Sequence, residues 1–333
     1  MGWMLFFLLP AATHGCRLED SFFEANEAVQ EDTGIMSWTL EQNQWIYSKM
    51  KYHYFWNKDL KDSLEYDFTL EPGLFFESMK VPQDRFSYCT VNDEYIDTKA
   101  ENRNQSISRD SVYVLDGHKI GYFQYTKFAE PGDVTDIAIA FHEERIEDLV
   151  VDLRGNPGGA VETCLQLASY IVPLDYLGQV FCRLQYNEII SEERARSNGS
   201  PYSYYYLKDD INTRNRNLGL SRVVFLADRR SASCSELLIN CLKPYLPVIL
   251  IGATTTGKDV GMYAIKGRKY KYVLEPITFR SYNANDEAVP ETGIVPDILI
   301  EQSPYVADGI TVDPALEAAF TYLSIKETNS QSI

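Results

Sequence analysis

Two turns in this 333-residue chain carry a hydroxyl and an amine where they could act on one another. Ser233 lies in Ser231-Ala232-Ser233-Cys234-Ser235-Glu236, between the apolar runs Val223-Val224-Phe225-Leu226 and Leu237-Leu238-Ile239. That order predicts a strand, a tight turn of small residues and a helix, with the hydroxyl at the helix N-terminus. Lys258 lies in Thr255-Thr256-Gly257-Lys258, directly after Val248-Ile249-Leu250-Ile251. Turns leaving two buried strands can meet at one edge of a sheet, where a lysine that gives up its charge can serve as base for a serine. To be a base at neutral pH, an amine near 10.4 must fall by roughly 3 units, which costs about 4 kcal/mol of desolvation or nearby positive charge. Val260 and the apolar strand ending at Ile251 are expected to supply that burial.

A third segment could hold negative charge. Asp152-Leu153-Arg154-Gly155-Asn156-Pro157-Gly158-Gly159 comes after the apolar run Leu149-Val150-Val151 and opens a predicted helix. Glycines there let the backbone turn tightly and leave amides free for an anion, either a phosphate or the oxyanion of acyl transfer. A rival phosphate loop is nearly spelled by Gly252 to Asp259, but Asp259 stands where a magnesium-binding hydroxyl is needed. The next residues, VGMYAIKG, read as glycine-broken strand, which offers no helix dipole to a phosphate.

Histidine chemistry fares worse. His14, His53, His118 and His142 are the only four, none falls in a small-residue turn, and His142-Glu143-Glu144 lacks the second histidine of a zincin helix. The six cysteines include no Cys-x-x-Cys pair, so neither a metal site nor any cofactor is expected, and buried free thiols or a single disulfide remain. A formal charge of −17, with no basic run longer than Arg229-Arg230, argues against a nucleic-acid partner.

The elements that must position these turns alternate along the chain. Strands are predicted at 119–125, 149–153 and 178–186, with helices at 134–146 and 161–171, and the pattern repeats around Ser233 and Lys258. A strand pair, 270–274 and 277–282, and a closing helix at 314–323 complete an α/β layered domain spanning 116–325. Before it, helical spacing of Trp38, Trp45, Ile46, Met50 and Tyr54 predicts a helical cap over 35–88. The polar stretch 89–115 reads as a linker or short hairpin, and the Tyr-rich insertion 190–218 as a surface excursion. The apolar run from Gly2 to Ala12 is too short to cross a bilayer. With Gly15-Cys16 after it, this resembles a bacterial lipoprotein leader over 1–16, with an acidic tether over 17–34. Cys16 is the expected lipidation site, a plain secretory signal being the other reading; either implies export to the cell envelope.

Taken together, DLRGNPGG (152–159), SASCSE (231–236), TTGK (255–258) and TGIVPDI (292–298) resemble the tail-specific, or C-terminal processing, serine peptidases. The likeness covers about residues 35 to 325 and is greatest to exported forms from Bacteroidetes-type bacteria. It implies a core like that of the crotonase and Clp peptidase superfamily, with Ser233 as nucleophile and Lys258 as general base. The oxyanion would be held by the amide of Cys234 and by that of Gly158 or Gly159. The substrates implied are peptides or unfolded proteins of the envelope, with contact to a membrane only through a lipid at Cys16.

The chain departs from the family in two places. Many members carry glutamine four residues after the lysine, where this chain has Met262, leaving the dyad alone or paired with another group such as Thr256. Residues 89–115 are too few for the PDZ domain most members insert there. Both departures suit a second expectation, a non-catalytic peptide-binding envelope lipoprotein on the same scaffold.

Overall fold

The computed structural model describes residues 34–91, 106–267, 272–307 and 310–324; the leader with Cys16, and all of the tether but its last residue, lie outside them. Helices α1 (Gly34–His53) and α2 (Pro72–Met79) build the cap and lead into β1 (Tyr88–Val91). Next come β2 (Ile107–Leu115), β3 (His118–Tyr125), α3 (Pro131–Glu144), β4 (Asp148–Asp152), α4 (Val161–Ile171) and β5 (Val180–Tyr186). The Tyr-rich insertion holds α5 (Glu188–Asn198), β6 (Ser203–Tyr206) and the single turn α6 (Ile211–Arg214). The chain continues with β7 (Val223–Ala227), α7 (Cys234–Leu242), β8 (Val248–Gly252), β9 (Val260–Met262), β10 (Ile265–Lys266), β11 (Tyr272–Glu275) and β12 (Ile277–Tyr282). It closes with β13 (Ile298–Leu299), β14 (Tyr305–Ala307), β15 (Ile310–Val312) and α8 (Pro314–Ser324).

The main sheet has the order β13-β8-β7-β4-β3-β2, parallel throughout except for the antiparallel edge pair β2–β3. Its central strands read as continuous apolar runs because both faces are covered. Along β7, Val223 and Phe225 join the core beneath α3, α4 and α7, whereas Val224 and Leu226 pack with Ala315, Leu316 and Ala319 of α8. A second, antiparallel sheet has the order β6-β5-β12-β9, and β1-β11-β10 forms a third. The cap has no core of its own: Ile46, Met50, Tyr54, Phe75 and Phe76 pack with Val260, Tyr272, Leu274 and Ile277.

Three expectations need correction. Residues 107–115, expected as part of a linker or short hairpin, are the nine-residue edge strand β2, paired along nearly its whole length with β3. The 190–218 excursion contributes β6 to the second sheet and buries Leu207, Thr213 and Asn217. Strands 272–275 and 277–282 go to different sheets, parted at Pro276. His118 sits at the start of β3 with Nε2 2.6 Å from Asp148, a buried carboxylate that also takes the Arg222 guanidinium, so it braces the sheet at the end away from the serine and lysine turns. Among the described residues no helix is long and apolar enough to cross a membrane, and the five described cysteines are free thiols.

Candidate active site

The parallel strands β4, β7 and β8 deliver three turns to one edge of the main sheet, as topology requires of neighbouring parallel strands. Ser233 is the residue before α7, and its backbone is held at φ 55 and ψ −114. Such positive φ costs a non-glycine residue on the order of 1–3 kcal/mol and persists only where the surroundings impose it. Here they do. The Ala232 N–H donates to the Asn156 carbonyl (3.1 Å), which also accepts the Ser235 hydroxyl (3.0 Å), and Ser231 Oγ donates to Leu153 O (2.8 Å). Asp228 accepts the Gly155 amide at 3.0 Å and the Arg230 amide at 2.9 Å, joining the serine turn to the glycine turn.

The two candidate glycine amides differ. Gly158 N–H donates to Asn156 Oδ1 at 2.9 Å, and Asn156 Nδ2 is itself fixed on Tyr125 O at 2.8 Å. Gly158 is there for closeness: at φ +103, a Cβ would stand 2.7 Å from Ser233 Cβ and 2.8 Å from Cys234 N. Gly159 N–H has no acceptor among the described residues, and Gly159 lines the same cavity as Cys234. The amide of Cys234, first residue of α7, has no intrahelical acceptor either. Of the two glycines, then, Gly159 keeps its donor free, and Gly158 spends its own on Asn156.

Ser233 and Lys258 line one cavity of about 250 Å³, together with Gly159, Cys234, Met262, Tyr88 and Glu275. Apolar Val161, Leu237, Val260 and Phe279 also line it. A residue to which the sequence alone gave no role joins the two turns. Glu236, fully buried, accepts the Ser233 amide (3.1 Å), the Thr255 hydroxyl (2.5 Å), the Gly257 amide (2.6 Å) and the Lys258 amide (2.8 Å). The signal was present in Ser233-x-x-Glu236, the spacing of a helix capping box. Asn156 was missed in the same way, visible within its motif but without a task.

Burial pulls the Lys258 ammonium below the ordinary lysine value, against the opposing influence of Cys234, Glu275 and Glu236. Its Nζ lies 5.2 Å from the centroid of the Phe86 ring, contributed by the cap loop. Thr256, considered as a partner for the lysine, is turned elsewhere: its exposed hydroxyl donates to Arg229 O at 2.9 Å. What directly follows Lys258 is not a helix but β9, as the glycine-broken run predicted, and a phosphate loop is excluded on that ground. Among the described residues no cluster of three or more histidine, cysteine or carboxylate side chains could hold a metal ion.

Known proteins share this arrangement of sequence and fold. The chain is 28% identical over 201 residues to the carboxy-terminal processing protease CtpB of Bacillus subtilis, a match spanning 59% of this chain but only 37% of that relative's own length. A solved structure of an S41 protease candidate from Bacteroides fragilis superposes with a TM-score of 0.68 at 19% identity, covering 89% of this chain and 98% of that one. A lipoprotein from Streptococcus agalactiae superposes with a TM-score of 0.54 at 11% identity, covering 90% and 98%. At such identities the two superpositions speak for the fold alone, which is the expected layered α/β core with a helical N-terminal cap. The model of the S41 N-terminal domain matches residues 41–88, the cap. That of peptidase family S41 matches residues 119–300, more than half of the chain and all three turns, so the chain belongs to peptidase family S41.

Proposed function

We propose that the chain is a serine endopeptidase in which Ser233 attacks a peptide carbonyl, Lys258 takes the hydroxyl proton and returns it to the leaving amine, and the amides of Cys234 and Gly159 hold the oxyanion. One observation carries this reading: Ser233 and Lys258 face a single cavity from turns bound to the same buried carboxylate, Glu236. The free amides of Cys234 and Gly159 beside the serine are what a tetrahedral intermediate needs. The apolar wall of Val161, Leu237, Val260 and Phe279 suits an uncharged substrate side chain next to the scissile bond. The substrates would be peptides or unfolded protein segments of the cell envelope, reached after export, with Cys16 as the lipid attachment site.

The test is digestion of a denatured protein mixture with sequencing of product ends, alongside labelling by a serine-reactive fluorophosphonate. Wild type should generate new termini and label once, and Ser233→Ala should do neither. If wild type neither cleaves nor labels, the non-catalytic peptide-binding reading takes its place.

The oxyanion assignment has its own consequence. At Gly159 (φ +144) a Cβ would fall 2.1 Å from Phe128 O, so Gly159→Ala must push the turn away from the Phe128 backbone just beyond β3. Loss of one oxyanion donor costs roughly a hundred- to a thousand-fold in turnover, and Gly159→Ala is expected to show a drop of that order in kcat/KM. Full activity in a folded Gly159→Ala protein would remove that amide from the mechanism.

A further inference from the structure

We propose that Phe86 is a positioning residue for Lys258, so that the N-terminal cap holds the lysine of the catalytic site in place. The proposal rests on the peptidase reading for its consequence in turnover, but not for its geometry.

The lysine needs a neighbour it does not find on its own strand. Met262, four residues on, lines the cavity with a thioether that cannot hold an amine by hydrogen bonding as a glutamine would. The Thr256 hydroxyl is committed to Arg229 O. What lies over the amine is the Phe86 ring, with Nζ 5.2 Å from its centroid. A ring face attracts the cation weakly and shields it from water, so it fixes where the tip lies without stabilising its charge as a carboxylate would.

The cover is built rigidly. Asp84 Oδ1 accepts the amides of Phe86 (3.0 Å) and Ser87 (2.9 Å), and Asp84 Oδ2 takes the buried Tyr54 hydroxyl at the end of α1 (2.7 Å). On the other side Ser87 Oγ accepts the Ile277 amide at the start of β12 (2.7 Å). Arg85, between them, donates to Gly257 O (2.7 Å) and Glu291 O (3.1 Å), clamping the residue that precedes Lys258. Loop 84–88 is thus pinned to the cap, to the second sheet and to the lysine turn at once.

Charged and titratable groups face Lys258 from the other elements packed on it. Glu236 and Cys234 belong to α7, and Glu275 on β11 is hydrogen-bonded by the Tyr88 hydroxyl of β1. Each of the three first named favours the ammonium, so exclusion of water is what pulls the lysine below its ordinary value. Arg85 donates to carbonyls and also lays its guanidinium on the Phe86 ring, Cζ 4.7 Å from the centroid, and Asp259 pairs with Arg280 at 2.6 Å. Removing the ring gives up a weak attraction for the cation but lets water onto the amine, and with water exclusion the larger effect Lys258 is expected to move back up toward the value of a solvated lysine.

The experiment is competitive acetylation of the folded, full-length chain with acetic anhydride across about pH 6 to 11, reading Lys258 by mass spectrometry. It needs no turnover. Phe86→Ala should move the Lys258 titration upward by about half a unit or more, a threefold smaller free-amine fraction at neutral pH. The acid limb of kcat/KM should move the same way, so that the activity lost near neutrality returns at alkaline pH. Phe86→Leu, which keeps the apolar cover, should restore the wild-type titration. If Phe86→Ala does not fold, Phe86→Gln keeps the bulk but brings a polar tip, and must raise the titration likewise. An unchanged Lys258 titration in a folded Ala or Gln variant, or a shift in Leu equal to that in Ala, overturns the proposal. A wild type that never cleaves peptides, yet shows the Lys258 shift, overturns the peptidase reading and leaves the placement of Phe86 standing.

Discussion

Lys258→Met is expected to lower kcat/KM roughly a hundred- to ten-thousand-fold, the share of a general base, and at the same time to raise the melting temperature at neutral pH. The two effects have one origin. Burial holds the lysine's folded pKa below its unfolded value near 10.5. Between those two values the unfolded chain binds more protons than the folded one, so stability rises with pH across that window. Below it the folded state carries the whole cost of burying an ammonium, and above about 10.5 the cost is gone. Methionine fills a similar volume with nothing to ionise. Its gain should therefore be fullest at neutral pH, about 2 °C or more in Tm, and should close as pH climbs past the lysine's unfolded value. Thermal unfolding of both proteins at neutral and strongly alkaline pH, with peptide hydrolysis in parallel, checks it. A variant less stable than wild type at neutral pH, with no narrowing of the difference at alkaline pH, would show that burying the amine costs the fold nothing.

The turns that carry Ser233 and Lys258 were legible because strands β7 and β8 are uninterrupted apolar runs ending in small residues, a pattern that survives without tertiary context. Strand β2 was not. Its sequence ISRDSVYVL is largely solvent-facing at a sheet edge, so alternation is weak and its charges imitate a linker. Strand β6 escaped for the same reason, as a tyrosine-rich edge beside the exposed helix α5. The candidate site divides along a similar line. Local geometry marks a serine before a helix, but it does not say which glycine keeps its amide. That depends on Asn156 reaching back to Gly158 while its own side-chain amide is held by Tyr125 O. Nor could spacing place Phe86, far upstream in the cap loop, against Lys258, since that contact exists only because the cap shares its core with β9, β11 and β12.

The TGIVPDI segment carries only a family resemblance in the sequence, and the structure gives it a mechanical part. Ile294 N–H donates to Thr255 Oγ1 at 2.8 Å, and the Thr255 hydroxyl donates in turn to Glu236. Gly293 lets the segment approach: a Cβ there would lie 2.2 Å from Thr255 O. Asp297 then accepts the Leu250 amide at 2.8 Å, which holds β13 against β8. Three of the four sequence motifs therefore converge on one carboxylate, two of them directly and the last through a threonine.

From that convergence Glu236→Ala is expected to be the most damaging single change to stability near the site. It strips partners from three backbone amides and one hydroxyl, at Ser233, Gly257, Lys258 and Thr255, in a place where Glu236 itself is fully buried. Each buried donor left unmatched costs about 1–3 kcal/mol, and partial relaxation brings the expected total to about 3–5 kcal/mol. For a domain of this size that is a fall of about 10 °C in Tm. Glu236→Gln keeps the shape and one accepting oxygen but turns an NH₂ toward amide donors, so it should fall between alanine and wild type. Below the melting temperature of either variant, fluorophosphonate labelling should still be lost, because Ser233 is no longer held at positive φ nor Lys258 in register with it. Thermal unfolding and labelling rates measured on the same preparations decide the point. An alanine variant that melts with wild type and labels at the wild-type rate would show that the two turns hold their places without the carboxylate between them.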